Sequence, residues 1–249
     1  MPPLIWLARQ TDHVIRVDVY AELVAALVAS AIMLRSIDRR PWADIGISRE
    51  ARRSPRMFSG WCVGSGANAF TCGVLVAAGL LRFMPNTDDG SWFGAAFRVT
   101  LVLLPAALAE ELICRGYLLT VVRDSIGARA AVILTSVMFG LLHLKNPGAT
   151  VASVFVVTLS GILLATVRIR LNSLYAAWMA HFAWNWMMAV PFHALVSGIR
   201  FDAPGYRAVT VEPSWLSGGD WGPEGGLIAA LGMTLGLAYF YARPRREES

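Results

Sequence analysis

Long apolar runs, each close to the length of a bilayer crossing, alternate with short polar segments along the whole chain. A hydropathy pass predicts seven helical spans, near 18–35, 57–83, 93–121, 128–144, 150–167, 173–196 and 225–242. Helices of that order are what a hydrocarbon core about 30 Å thick requires. A short or re-entrant helix missed by the pass would make eight. The expected fold is all-α, a polytopic membrane bundle of about 7–8 transmembrane helices. No Ser/Pro-rich linker, low-complexity stretch or internal repeat divides it, so 1–249 reads as a single integral membrane domain.

Composition agrees with a lipid environment. The chain is 56% hydrophobic and 16% charged, with a mean hydropathy of +0.53, well away from soluble domains. The net charge of +5 would point to nucleic acid in a soluble chain. Here the arginines lie between apolar spans, where they set topology, and no nucleic-acid partner is expected. Arg35 to Arg56 holds seven arginines, which places that loop in the cytoplasm. Arg123/Arg129, Arg168/Arg170 and the tail Arg243-Pro244-Arg245-Arg246 then fall on the same side, and Asn86-Thr87-Asp88-Asp89 on the other. Met1 to Asp18 lacks the marks of a signal peptide, so nothing is expected to be removed. Cys62, Cys72 and Cys114 sit in apolar segments and read as small packed hydrophobes. Lys145 is the sole lysine, a bias typical of a GC-rich bacterial genome.

Against this background, Glu110, Glu111 and Arg115 lie inside the third apolar span. Each charged side chain at a helix centre costs about 2.5–3.5 kcal/mol on insertion scales, so three in one span imply partners or a task. On a helix Glu111 and Arg115 share a face, whereas Glu110 is turned about 100° away. Glu111 is then the expected ion-pair partner of Arg115, and Glu110 is free to face a cavity. His181 and Asn185 share a face by the same spacing, as do Phe139 and His143. Counted from the cytoplasmic helix ends, Glu110 lies near ~16 Å, His143 near ~22 Å, His181 near ~12 Å and Asn185 near ~18 Å. Three helices thus bring polar groups to one mid-membrane layer, as a shared buried site requires.

Other features have two readings at this level. Pro105 either breaks its helix beside a cavity or is an ordinary membrane-helix proline whose freed carbonyl a neighbour satisfies. Gly60, Gly64, Gly66 and Ser136/Gly140 suit close helix packing. The loop from Ser197 to Gly225 is either an interfacial lid or a plain connection. Trp178, Trp184 and Trp186 read as packing around the site, and His13 and His193 as interfacial.

The motifs Glu110-Glu111-Leu112-Ile113-Cys114-Arg115, Phe139-Gly140-Leu141-Leu142-His143 and His181-Phe182-Ala183-Trp184-Asn185 resemble the EExxxR, FxxxH and HxxxN signatures of one membrane family. That family comprises CAAX proteases and bacteriocin-processing enzymes (CPBP, or Abi), related to the Ras-converting CAAX endopeptidase. The resemblance covers about 93–195, and Asn146-Pro147-Gly148 and Gly222-Pro223-Glu224-Gly225 also look like bacterial members. It implies a glutamic-type intramembrane peptidase in which Glu110 is the general base, His143 its partner, and His181 and Asn185 stabilise the oxyanion. Glu111 and Arg115 then support the site.

The resemblance also implies no cofactor. Zinc is the runner-up, since Glu and two His are legitimate ligands, although HExxH is absent. The expected partner is a hydrophobic or membrane-anchored protein or peptide in the bilayer, and the expected location the bacterial inner membrane. A non-catalytic immunity or scaffold protein and a proton-coupled transporter remain as alternatives using the same buried residues.

Overall fold

Lipid cannot satisfy a polar side chain, so a membrane bundle turns its polar groups inward and its apolar ones out. The computed structural model, which describes residues 17–88 and 90–242, has this inverted pattern. Phe58, Phe93, Phe97, Leu142 and Phe155 are exposed, while Asn68, Glu111, Arg115, Ser136 and Arg168 are buried.

The helices follow the expected order. They are α1 (Val17–Ile32), α2 (Ser54–Ala77), α3 (Trp92–Glu111), α4 (Leu118–Ile126), α5 (Ala128–Leu142), α6 (Val151–Arg170), α7 (Leu174–Ala189), the single turn α8 (Ser214–Ser217) and α9 (Leu227–Ala242). A wide π-type turn, Leu112–Tyr117, joins α3 to α4. Among the described residues, five helical stretches are long and apolar enough to cross a membrane: 17–37, 54–77, 92–126, 128–145 and 151–170. The protein is a multi-pass membrane helix bundle. α7 and α9 have 16 residues each, about 24 Å of helix. α7 lies within the bundle, with much of its length buried against α2, α3 and α6, so it is not required to match the hydrocarbon thickness.

Local chemistry sets the ends. Ser91 caps α3 by accepting from Gly94 N, and Thr150 and Ser153 form a reciprocal capping box at α6. Ser173 caps α7 and also donates to Ala51 O at 2.6 Å.

Two span boundaries expected from hydropathy are corrected. The second helix ends at Ala77, because Gly79 adopts φ +70° and closes a Schellman turn, with Gly79 N bonded to Val76 O and Leu80 N to Leu75 O. Leu81–Asn86 then forms strand β1, antiparallel to β2 (Gly205–Thr210), with Leu81 opposite Thr210. This segment serves a long-range strand pair, so the fold is nearly all-α with one two-stranded sheet among the described residues. The sixth span ends at Ala189, just before Pro191, which cannot continue a helix.

Pro105 is the tolerated kind. α3 runs through it, and the carbonyl it leaves without a donor, Leu101 O, accepts from Tyr20 Oη at 2.8 Å. The departure from helical geometry comes later, at Gly116 (φ −80°, ψ −112°).

The arginine-rich loops gather at one end of the bundle. Arg168 Nη2 donates to Asp44 O at 3.1 Å, Leu174 N to Gly46 O at 3.0 Å, and Arg40 pairs with Asp124. At the opposite end lies the two-stranded sheet, where Asn86 Nδ2 donates to Ala203 O at 2.8 Å and, nearby, Arg98 pairs with Asp202 at 2.7 Å. The tail cluster Arg243-Pro244-Arg245-Arg246 and His13 lie outside the described residues. His193, expected at the interface, is instead buried, stacked on Tyr206 with centroids 4.5 Å apart, its Nδ1 donating to Tyr206 O.

α2 and α7 touch backbone to backbone. A Cβ on Gly60 would sit 2.1 Å from Ala176 O, and one on Gly64 would sit 1.9 Å from Ala180 O, whereas Gly66 faces open space. Gly140 packs in the same way against Thr158. Gly64→Ala is expected to force the helices apart and destabilise by about 1–3 kcal/mol, as overpacking does. Gly66→Ala is expected to be neutral or slightly stabilising. Thermal unfolding of both variants in detergent checks this; equal midpoints would refute the close contact.

Candidate active site

The arrangement begins with one buried cation. Arg115 lies in the π-type turn after α3 and is wholly buried, as is Glu111. Arg115 Nη1 donates to Glu111 Oε1 at 3.1 Å, and Nη2 donates to Gly161 O on α6 at 3.2 Å. Its guanidinium carbon stands 4.1 Å from the centroid of Phe139 on α5, a cation–π contact in a dry setting. Gly161 permits the approach, since a Cβ there would meet Ser136 at 2.9 Å and Arg115 Nη2 at 3.2 Å.

Glu111 Oε1 also accepts from His181 Nδ1 at 3.0 Å. One carboxylate oxygen therefore ties α3 to α7 and fixes the ring of His181 so that its Nε2 edge faces Glu110. His143, the cap residue of α5, is fixed in the same manner, its Nδ1 donating to Phe139 O at 2.8 Å. Phe139 is the shared wall, with centroids 4.7 Å from His143 and 5.7 Å from His181. His143 was expected within a span; it instead closes α5, opening the short turn His143–Lys145.

Glu110 completes the group. Its side chain is 31% exposed, and Oε2 stands 3.8 Å from His143 Nε2 and 4.0 Å from His181 Nε2. That oxygen is itself shielded and has no hydrogen-bond partner in the protein. Both histidines hold their proton on Nδ1 by hydrogen bonding, so in the neutral form each presents a lone pair at Nε2. Three acceptors thus converge at separations too long for direct hydrogen bonds and suited to a shared donor such as water.

Asn185 lies one turn after His181 and lines the same cleft, bounded also by His143, Ser160, Trp184, Ser197 and Glu224. The structure therefore brings the Nε2 atoms of His143 and His181 within 4.0 Å of Glu110 Oε2, with Asn185 on the cleft wall that both histidines line. The tryptophans of α7 do more than fill space. Trp178 Nε1 donates to Leu104 O and Trp186 Nε1 to Thr100 Oγ1, both on α3. These bonds hold the two helices that carry Glu110 and His181 at fixed separation.

The segment 193–226 crosses the cleft as a strap. Asn146 Nδ2 donates to Ser197 O at 3.2 Å and Gly198 N to Trp221 O at 2.8 Å. Gly148 and Gly198 lie so close to Asp220 and Pro147 that no side chain would fit. Glu224, buried, accepts from Trp184 Nε1 at 2.8 Å and from Ser197 N and Oγ at 2.5 and 2.6 Å. Sequence reasoning did not single out Glu224 or Ser197 as site residues. A carboxylate in a Gly/Pro-rich loop has no helical period to place it, and only the Gly222-Pro223-Glu224-Gly225 pattern marked the place.

A zinc ion would need its ligands about 3.4 Å apart around a tetrahedron of bonds near 2.05 Å. The Glu110 and histidine atoms stand wider than this. Among the described residues no group of three or more His, Cys, Asp or Glu is placed to hold a metal. As placed, these donors are more widely spaced than a zinc tetrahedron requires.

Residues 92–187 match the family described as Rce1-like, the type II CAAX prenyl endopeptidase Rce1-like. This is the kinship that the three motifs resemble. The matched stretch begins with α3, ends inside α7 and includes all seven motif residues, while the strap lies beyond it. No curated protein and no solved structure matches the chain.

Removing Arg115 alone leaves the Glu111 carboxylate buried without a counter-charge. Arg115→Met is expected to cost about 3–5 kcal/mol, the usual penalty for breaking a buried pair. Glu111→Gln/Arg115→Met is expected to recover part of that loss, because the stranded charge is gone. Thermal unfolding of the two variants in detergent decides it; a double variant no more stable than Arg115→Met would mean that the pair is not coupled as drawn.

Proposed function

We propose that this chain, Rce1-like over residues 92–187 and so a relative of the CAAX endopeptidases, is an intramembrane peptidase that hydrolyses a peptide bond with glutamate-activated water. The observation that carries the reading is the unpartnered Glu110 Oε2 between the Nε2 atoms of two histidines oriented by their own hydrogen bonds.

In this reading, water donates one hydrogen to Glu110 Oε2 and the other to His143 Nε2. Glu110 takes the proton as the water oxygen attacks the peptide carbonyl, the work of a general base within hydrogen-bond reach. The negative charge that forms on the carbonyl oxygen is met by donors already fixed in place: Asn185, and His181 when it carries a proton on Nε2 as well as on Nδ1. Glu111 supports that imidazolium from the other side of the ring. Such preorganised donors are worth several kcal/mol to an oxyanion. Glu110 then returns its proton to the leaving amine, which restores the carboxylate and frees both products.

The substrate is a hydrophobic or membrane-anchored protein or peptide in the inner membrane of a bacterial cell, with the arginine-rich end of the bundle facing the cytoplasm. The first step of the test is to compare protein termini in host membranes expressing wild type or Glu110→Gln at equal levels. Termini unique to wild type identify candidate substrates, which are then cleaved with purified protein. Glu110→Gln and His143→Ala are expected to lower that cleavage by about 10²–10⁴-fold, the usual contribution of a positioned base, while leaving the unfolding midpoint nearly unchanged. Cleavage at the wild-type rate in both variants would sink the mechanism, and identical termini would favour a binding or transport role. Activity is expected to survive a strong chelator; its loss, restored by zinc, would move the same residues to metal chemistry.

A further inference from the structure

The reaction described above uses Glu110 and leaves a second carboxylate on the cleft wall without a task. Glu224 is buried, and three donors converge on it, from Trp184 Nε1, Ser197 N and Ser197 Oγ. This arrangement suits a carboxylate, which only accepts, and it leaves about one of its four lone-pair sites open. All three donors are neutral. Among the described residues no arginine, lysine or histidine forms an ion pair with Glu224.

The surrounding charges do not cancel it. Arg115, the cation nearest the reacting group, is committed to Glu111. Glu224 in the cleft wall, and Glu110 beside the two histidines, therefore leave the site negative when those histidines are neutral, and one side of the cleft is apolar, formed by Gly64, Val157, Leu163, Leu164, Ala180 and Met233. Burying a carboxylate without a counter-charge is costly, and the cost is recovered when a cation enters. A low-dielectric, negatively biased cleft also concentrates positive ligands.

We infer that Glu224 is a substrate-binding residue that receives a basic side chain, lysine or arginine, of the peptide held in the cleft. This deepens the peptidase reading and rests on it for the identity of the cleft as the substrate site. The substrate class becomes a membrane-anchored segment that carries a basic residue near its scissile bond. The strap has a second consequence: through Ser197 and Glu224 it sets where that residue lies relative to His181 and Asn185, so it governs which bond is presented.

The test measures binding and needs no cleavage. Full-length Glu110→Gln protein is placed in nanodiscs of phosphatidylcholine, a lipid without a primary amine. The probes are labelled single-span apolar peptides with one lysine moved position by position, each paired with a norleucine twin. In a narrow register the lysine peptide is expected to bind about tenfold tighter than its twin. The preference is expected to fall below about threefold in Glu110→Gln/Glu224→Gln. A hydrophobic carbodiimide, which joins a carboxylate to an amine, is expected to couple that lysine to Glu224. This arm uses no Glu224 variant and stands even if the double variant fails to fold.

The inference is overturned if no register favours lysine, if the preference survives Glu224→Gln, or if coupling maps only to other carboxylates. It is also overturned if Glu224→Gln weakens lysine and norleucine peptides equally, which would make Glu224 an anchor for the strap alone. Because turnover is blocked throughout, a failure here is distinct from a failure of the peptidase reading, which the termini comparison tests.

Discussion

A guanidinium with no access to water must be answered on every side by the protein, and the burial of Arg115 organises much of this bundle. Its charge meets Glu111 one turn away, the Gly161 carbonyl of α6 and the face of Phe139 on α5. Glu111 in turn holds His181 on α7. Four helical elements are therefore fixed by one ion pair, and the positions of both histidines follow from it. The small residues are the geometric counterpart. Gly161 lets the guanidinium close on its carbonyl, and Gly60 and Gly64 let α2 press on α7 from behind. A bundle in lipid has little hydrophobic drive between its helices, so such contacts carry the specificity of assembly.

The same ion pair divides the labour between adjacent carboxylates. Glu111 binds Arg115 and His181 through Oε1, its Oε2 having no partner, whereas Glu110, turned toward the Nε2 atoms of His143 and His181, makes no hydrogen bond to the protein through Oε2. Two identical side chains thus occupy opposite environments one residue apart. The first is wholly buried and orients the His181 ring; the second is partly exposed and faces the Nε2 atoms of both histidines. Trp178 and Trp186 stiffen this arrangement by tying α7 to α3.

The strap adds a level of control that the helices alone do not have. It lies outside the Rce1-like stretch of 92–187, yet Ser197 and Glu224 form part of the cleft wall. Its close backbone contacts with the loop after His143 make it a fixed part of the site in this conformation.

The sequence by itself determined the helices, their order and the layer in which polar groups meet, because apolar runs of bilayer length and charges within them have few physical solutions. Helical spacing also separated Glu110 from Glu111, and the pair forms although Arg115 lies in a wide turn rather than a regular helix. It did not reveal that residues 81–86 leave the helix for a strand, since apolar content reads alike in both and the partner strand begins at Gly205. Nor did it show that Tyr20 would satisfy the carbonyl freed by Pro105. The placement of Glu224 and Ser197 on the cleft was decided only by tertiary structure. Helical periodicity encodes which residues share a face, but a loop has no period, so where its side chains end up depends on contacts far away in the chain.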